Sequence, residues 1–163
     1  MARIDEVPDA TPLTRPDVRI AAVCSGFHRG LTEALLDGAR ARLAESGLPD
    51  GNLDVHWVPG AFEAPLAARY CADSGRYAAV VALGAVVRGA TAHFDHVCYG
   101  ASQGLIKVAT DTGIPCTFGI LTVDTVEQAW ARAGGEVGNA GADAADAAVE
   151  LLNLRATLGL SPA

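Results

Sequence analysis

The run Ala78-Ala-Val-Val-Ala-Leu-Gly-Ala85, set inside the apolar stretch Tyr77–Val87 (YAAVVALGAVV), decides the fold. It offers no polar side chain to water, so both of its faces need cover, as in a central parallel strand packed between helices. Eleven residues interrupted by a glycine fall well short of a bilayer span. Upstream, Val18–Cys24 (VRIAAVC) is a second apolar strand, bounded by Pro16 and Gly26. Leu31–Ala44 follows with Leu31, Leu35, Leu36, Ala39 and Leu43 at helical spacing, and Gly47 as its stop. Leu53–Val58 alternates apolar residues with Asp54 and His56, the mark of a half-buried strand that Pro59-Gly60 ends. Phe62–Ala72 then reads as a helix with Pro65 in its first turn, where proline is tolerated.

Downstream the alternation continues. Phe94–Thr112 is helical and stopped by Gly113, Pro115–Leu121 is a fourth strand, and Thr125–Ala133 is a helix with Thr122 or Asp124 as its N-cap. Gly134–Gly141 is a glycine-rich bridge, and Asp143–Leu158 an alanine-rich terminal helix. Strands alternating with helices of this length predict right-handed β-α-β units and one parallel sheet. The expected architecture is α/β: a single three-layer domain over residues 1–163 with a central four-stranded parallel sheet. Met1–Asp17, with three prolines and mixed charges, lacks the apolar core of a signal peptide and reads as an extended arm, free or laid against a partner.

Composition bounds the function. Of 163 residues half are apolar, which excludes a disordered chain. Lys and Arg number 12 against 19 Asp and Glu, a net charge of −7, which argues against binding a nucleic-acid backbone while leaving room for one local anion site. Cys24, Cys71, Cys98 and Cys116 form no C-x-x-C pair and are read as buried reduced thiols of a cytosolic protein rather than a disulfide framework or zinc site.

In a parallel sheet, ligands bind beyond the carboxyl ends of the strands. Here those ends are taken as Ser25–His28, Pro59–Glu63, Val86–His93 and Phe118-Gly119. The segment Gly84–Asp95 has P-loop-like glycine spacing but no Gly-Lys-Ser/Thr, so a nucleoside triphosphate loop is rejected. What remains is a loop of backbone N–H groups with the Thr91 hydroxyl and a helix start, suited to one phosphate. His93 at that start is a natural acid/base, since imidazole changes charge near neutral pH. The competing possibility is that Thr91 and Asp95 merely cap the helix and His93 is a surface residue. His93 and His96 lie three apart without an obvious third ligand, so no metal site is expected, and His96 reads as a helix-surface or partner-contact residue. Glu63 either satisfies a helix dipole or accepts hydrogen bonds from a polyol or amine. Phe27 and Phe118 are placed at strand ends, where each could stack on a planar ring or simply pack. His28 is ambiguous on sequence alone. Arg132 could serve a helix C-terminus or be the fixed positive charge of a phosphate site.

These residues resemble the 6,7-dimethyl-8-ribityllumazine synthase family of riboflavin biosynthesis. The matching strings are VPGAFEAP (Val58–Pro65), LGAVVRGATAHFD (Leu83–Asp95), FGILT (Phe118–Thr122) and EQAWARAGG (Glu127–Gly135), completed by Gly138-Asn139 and Gly141. They span about residues 18–156 in the family's order and spacing. The resemblance implies condensation of 5-amino-6-(D-ribitylamino)uracil with 3,4-dihydroxy-2-butanone 4-phosphate, releasing phosphate and water, in the cytoplasm, without cofactor or metal. It also implies a flavodoxin-like strand order.

By motif, Phe27 would stack on the pyrimidine, while Ala61, Phe62 and Glu63 would hold the ribityl chain and ring edge. Ala85, Val86 and Val87 would offer backbone contacts, and Ala90, Thr91 and Arg132 would hold the phosphate. His93 would be the general acid/base, and Phe118 would reach the site from a neighbouring subunit. The partners implied are the two small-molecule substrates and further copies of the chain, as a pentamer or 60-mer with the N-terminal arm along a neighbour; neither nucleic acid nor membrane is expected. Two positions depart from the family pattern: Ala140 stands where a lysine is common, and His28 where an asparagine is common. Ala140 motivates the alternative of a paralogue that uses another carbonyl partner or only binds lumazines or flavins. A shell protein with incidental chemistry would need neither His93 nor Arg132.

Overall fold

A computed structural model describes residues 9–160. Its elements are β1 (Ile20–Ser25), α1 (Arg29–Glu45), β2 (Leu53–Val58), α2 (Ala64–Asp73), β3 (Ala79–Val87) and α3 (His93–Thr112). They continue with β4 (Cys116–Val123), α4 (Val126–Ala131), β5 (Ala133–Gly135), β6 (Gly138–Asn139) and α5 (Ala140–Thr157). Four strands form one sheet in the order β2-β1-β3-β4, all neighbours parallel, with Cys24 beside Leu83 and Leu83 beside Gly119. This is the α/β architecture and flavodoxin-like order anticipated from the sequence. All six residues of β1 and the first seven of β3 are buried, because strand alternation feeds two apolar layers rather than one. Ile20, Ala22 and Cys24 join a core with Leu35, Leu43 and Val149 of α1 and α5. Ala21 and Val23 join the other, with Ala68, Ala101 and Leu105 of α2 and α3.

Local chemistry moves several element boundaries from their expected positions. The N-cap of α4 is Thr125, whose Oγ1 accepts the Gln128 N–H at 3.2 Å, rather than Thr122 or Asp124. Helix α2 starts at Ala64, because Gly60–Glu63 form a turn first. The glycine-rich bridge contains the β5–β6 antiparallel pair, which short glycine-bearing strands do not announce by propensity. Helix α5 begins at Ala140 because Asn139 caps it, its Oδ1 accepting from the N–H groups of Gly141 (2.9 Å) and Ala142 (3.2 Å).

The expected arm falls partly outside the described residues, at 1–8. Residues 9–17 lie against their own chain: Leu13 is buried, its N–H donates to the Ser46 carbonyl at 2.8 Å, and Asn153 of α5 holds Pro12 O and Thr14 N. An apolar side chain in the arm gains more from that core than from water. Among the described residues, no helix is long and apolar enough to cross a membrane.

Helices α1 and α5 meet backbone to backbone. A Cβ on Gly141 would come within 2.0 Å of the Leu35 carbonyl oxygen, and Asn139 Nδ2 donates to the Ala34 carbonyl at 3.0 Å. Gly141→Ala therefore forces the two helices apart and should destabilise the protein by about 1–3 kcal/mol. Asn139→Ala should remove about 1 kcal/mol through loss of the cap. Urea midpoints check both, and an unchanged midpoint for Gly141→Ala contradicts the close approach.

At the far edge, Asp54 accepts from the Tyr77 hydroxyl (2.8 Å) and from Arg19 (2.5 Å). The Tyr77 hydrogen bond, and after it the Arg19 bond, holds the Asp54 carboxyl below its ordinary value of 3.8. A depressed folded-state value means that this stabilisation is present above 3.8 and is lost as pH falls through the folded-state value. Asp54→Asn should thus be less stable than the parent at neutral pH, with the gap closing on acidification below that value; urea titrations at the two pH values check it.

Candidate active site

The chain leaves β1 toward β2 on one side and reaches β3 on the other, so loops diverge above the carboxyl ends of β1 and β3. Such a switch point opens a crevice. A cavity of about 690 Å³ lies there, in the range of a small-molecule site. Three of the four expected strand ends line it. The β1–α1 loop supplies Phe27 and His28, the β2–α2 loop Pro59 to Glu63, and β3 its last residues Ala85, Val86 and Val87. The loop after β3 and the start of α3 supply Gly89, Thr91, His93, Phe94, His96 and Val97.

The walls are aromatic and their positions have local causes. The Gly26 N–H donates to the Val58 carbonyl at 2.8 Å, tying the β1–α1 loop to the end of β2. Phe27 projects beyond it with 81% of its surface exposed. The Phe62 ring, 57% exposed, lies on α3 at Gly100, where an added Cβ would come within 2.6 Å of Phe62 Cε2. Glu63 stands at the start of α2 without a side-chain capping bond, so its carboxylate oxygens remain able to accept from a ligand.

The start of α3 answers part of the capping question. Its N-cap position is Ala92, which makes no side-chain cap, and Asp95 pairs with Arg88 at 3.2 Å instead of capping. Thr91 Oγ1 accepts the His93 N–H at 3.4 Å, which leaves the hydroxyl proton of Thr91 to donate outward. Arg88 lies in this loop, yet its charge is spoken for. Its guanidinium bonds Asp124 at 2.7 Å and Asp95, and sits 4.0 Å over the Phe94 ring. Chiefly the Asp124 hydrogen bond holds it protonated above the ordinary guanidinium value. Arg88 clamps the loop between β4 and α3 rather than offering an open cation.

Arg132 presents a different case. It ends α4, and Nη1 donates to the Gln128 carbonyl at 3.1 Å. It pairs with no carboxylate among the described residues, but it does not line the cavity. Ala90 is likewise outside the lining. Phe118 is not at a strand end: it is the third residue of β4, level with Ala82, 42% exposed on the open edge of the sheet and outside the cavity of its own chain. The fourth expected strand end, Phe118-Gly119, therefore lies in mid-strand, because β4 runs on to Val123.

His96 faces the cavity, not only the helix surface, since three residues along α3 from His93 returns to nearly the same side. The helical spacing of the two histidines was the signal for this. Cys24 and Cys71 are buried, whereas Cys98 and Cys116 are half-buried; all four are free. Burial pushes the Cys24 and Cys116 thiols up to about 12 and raises those of Cys71 and Cys98, so none is an activated thiolate. Among the described residues, no group of three His, Cys, Asp or Glu side chains is placed to hold a metal ion.

The arrangement can bind a planar ring between aromatic walls, accept hydrogen bonds at Glu63, and move protons at an imidazole set beside a helix N-terminus. The family model of 6,7-dimethyl-8-ribityllumazine synthase matches residues 17–156, a span holding every strand of the sheet and every residue that lines the cavity. A fold whose switch-point cavity is built from the matched segments, and a match over most of the chain, place this protein in the 6,7-dimethyl-8-ribityllumazine synthase family, which acts in riboflavin biosynthesis.

Proposed function

We propose that the chain, folded as one domain, condenses 5-amino-6-(D-ribitylamino)uracil with 3,4-dihydroxy-2-butanone 4-phosphate to 6,7-dimethyl-8-ribityllumazine, releasing phosphate and water. The observation that carries this reading is the meeting, in one cavity, of Phe27 and Phe62 with the Glu63 carboxylate, Thr91 and the His93 imidazole. Phe27 and Phe62 take the pyrimidine and its ribityl chain, with Glu63 accepting from the ribityl hydroxyls. Ala61 and the backbone of Ala85, Val86 and Val87 hold the ring edge. Ala90, Thr91 and Arg132 hold the phosphate, with the N-terminus of α3 favouring its charge.

Protons move at imine formation, phosphate elimination and ring closure. Each of the two amine nitrogens loses a proton as it bonds a carbonyl carbon, a carbon-bound proton leaves as phosphate departs, and each resulting hydroxyl gains a proton to leave as water, two waters in all. One imidazole beside the reacting atoms can pass these protons in turn, and His93 is that group. The reaction needs no cofactor in this scheme and runs in the cytoplasm.

The chain works as a homo-oligomer, a pentamer or 60-mer, in which Phe118 closes the neighbour's ring pocket. The position of Phe118, outside its own cavity on an open strand edge, favours this arrangement. A second reading, a paralogue using another carbonyl partner or only binding lumazines or flavins, rests on Ala140. Its N–H donates to the Arg132 carbonyl at 2.9 Å, so a side chain there belongs to the same turn as the phosphate-binding arginine, and alanine leaves that turn one cation poorer than is common in the family.

Lumazine absorbance after mixing the two substrates separates the readings. The wild-type protein should form lumazine well above the spontaneous rate. His93→Ala should lower kcat by about 10²-fold. Arg132→Ala should raise KM for the butanone phosphate by about tenfold or more, the loss of a charge-assisted hydrogen bond. A wild-type rate equal to background with the ribityl pyrimidine still bound leaves the paralogue. Phe118→Ala should raise KM for the ribityl pyrimidine by about three- to tenfold, the value of an aromatic stack, although it lies outside its own cavity. An unchanged KM, or a monomer by light scattering, removes the shared site.

A further inference from the structure

We infer that His28 is a positioning residue for the aromatic wall of the site, holding the Phe27 ring in place through an edge-to-face contact; the inference rests on the proposed lumazine synthase reading. The two rings lie 5.1 Å apart at an interplanar angle of 84°. Both line the cavity. With 81% of its surface exposed, Phe27 has little packing of its own to select a rotamer.

His28, by contrast, is anchored. Its carbonyl accepts the Thr32 N–H at 3.0 Å and the Thr32 hydroxyl at 3.3 Å, with Thr32 itself fully buried. The next residue, Arg29, lays its guanidinium 4.2 Å over the Trp57 ring and bonds Glu33 at 2.8 Å, fixing the first turn of α1 to the end of β2. His28 makes no side-chain cap on α1, so its ring is not committed to the helix. The His28 ring, carried on an anchored backbone, thus stands edge-on to the largely exposed Phe27 ring and restricts the directions that ring can take. Perpendicular aromatic pairs at this separation attract through the positive edge of one ring and the negative face of the other.

Ordering Phe27 before the ligand arrives removes part of the entropy loss on binding. The effect belongs to binding of the planar pyrimidine and not to the chemical step or to the phosphate. A residue that hydrogen-bonds the ligand directly would be replaced by asparagine; one that works by its ring edge is replaced by phenylalanine.

The test is the set His28→Ala, His28→Asn and His28→Phe, read by steady-state kinetics and by crystal structures without ligand. His28→Ala should raise KM for 5-amino-6-(D-ribitylamino)uracil by about three- to tenfold, with kcat and KM for the butanone phosphate held within about twofold. His28→Phe should restore the parent KM and His28→Asn should not. In the His28→Ala crystal, Phe27 should occupy more than one rotamer. An unchanged KM in His28→Ala, rescue by asparagine instead of phenylalanine, or a single unaltered Phe27 rotamer overturns the inference. Wild-type protein that forms no lumazine overturns the functional reading instead, and the Phe27 rotamer in the His28→Ala crystal then decides the ring contact by itself.

Discussion

The parallel pairing of β1 with β3 is the constraint on which the rest of the structure depends. Both strands are buried on both faces, so their register, with Ile20 beside Ala79 and Cys24 beside Leu83, is fixed by packing from either side. A slip of one residue would exchange the two apolar layers and bring Ser25, whose buried hydroxyl has no partner among the described residues, into the wrong one. Because β2 and β4 then add on opposite flanks, the loops that follow β1 and β3 part company above the sheet. The cavity is the space they vacate, and its aromatic and ionisable residues are there because those loops are.

Much of this was written plainly in the residues. The unbroken run Ala78–Ala85 required cover on both faces, and the alternating Leu53–Val58 required a half-buried strand; the sheet buries the first and leaves β2 largely half-buried at its edge. Three of four strand ends carried their polar and aromatic residues into the cavity as read. What could not be read was whatever depended on a contact distant in the chain. Asn139 starts α5 three residues earlier than the alanine pattern suggests because it also binds the Ala34 carbonyl across the helix pair. Thr125 is a different case, since its partner Gln128 is only three residues on and reaches back to the Asp124 N–H at 2.9 Å, a local Thr-x-x-Gln signal that the sequence did carry. Phe118 looks like a strand end in sequence and proves to be a mid-strand edge residue, since nothing local marks how far β4 continues.

On the proposed reading, an acidic chain still offers an anion site. Net charge sets the distant field, while a bound phosphate responds to the few groups within reach. Two carboxylates engage Arg88, and that clamp supports the loop in which Thr91 and the start of α3 present their donors. Arg132 pairs with a carbonyl dipole instead, which orients the guanidinium without cancelling its charge. The arrangement commits Arg88 to scaffolding and leaves Arg132, on the proposed reading, to the ligand, a distinction that their sequence contexts alone do not make.

The small β5–β6 hairpin joins these themes. Its last residue, Asn139, caps α5 and grips α1, while the next, Ala140, holds the carbonyl of Arg132. The arginine proposed to hold the phosphate is thereby hung from the seam where α1 and α5 touch. Folding strength and anion affinity are then not independent traits of this chain. A change that loosens the helix seam also frees the turn that carries Arg132, so on the proposed reading variants selected only for staying folded would, as a by-product, tend to keep their hold on the substrate's charged end.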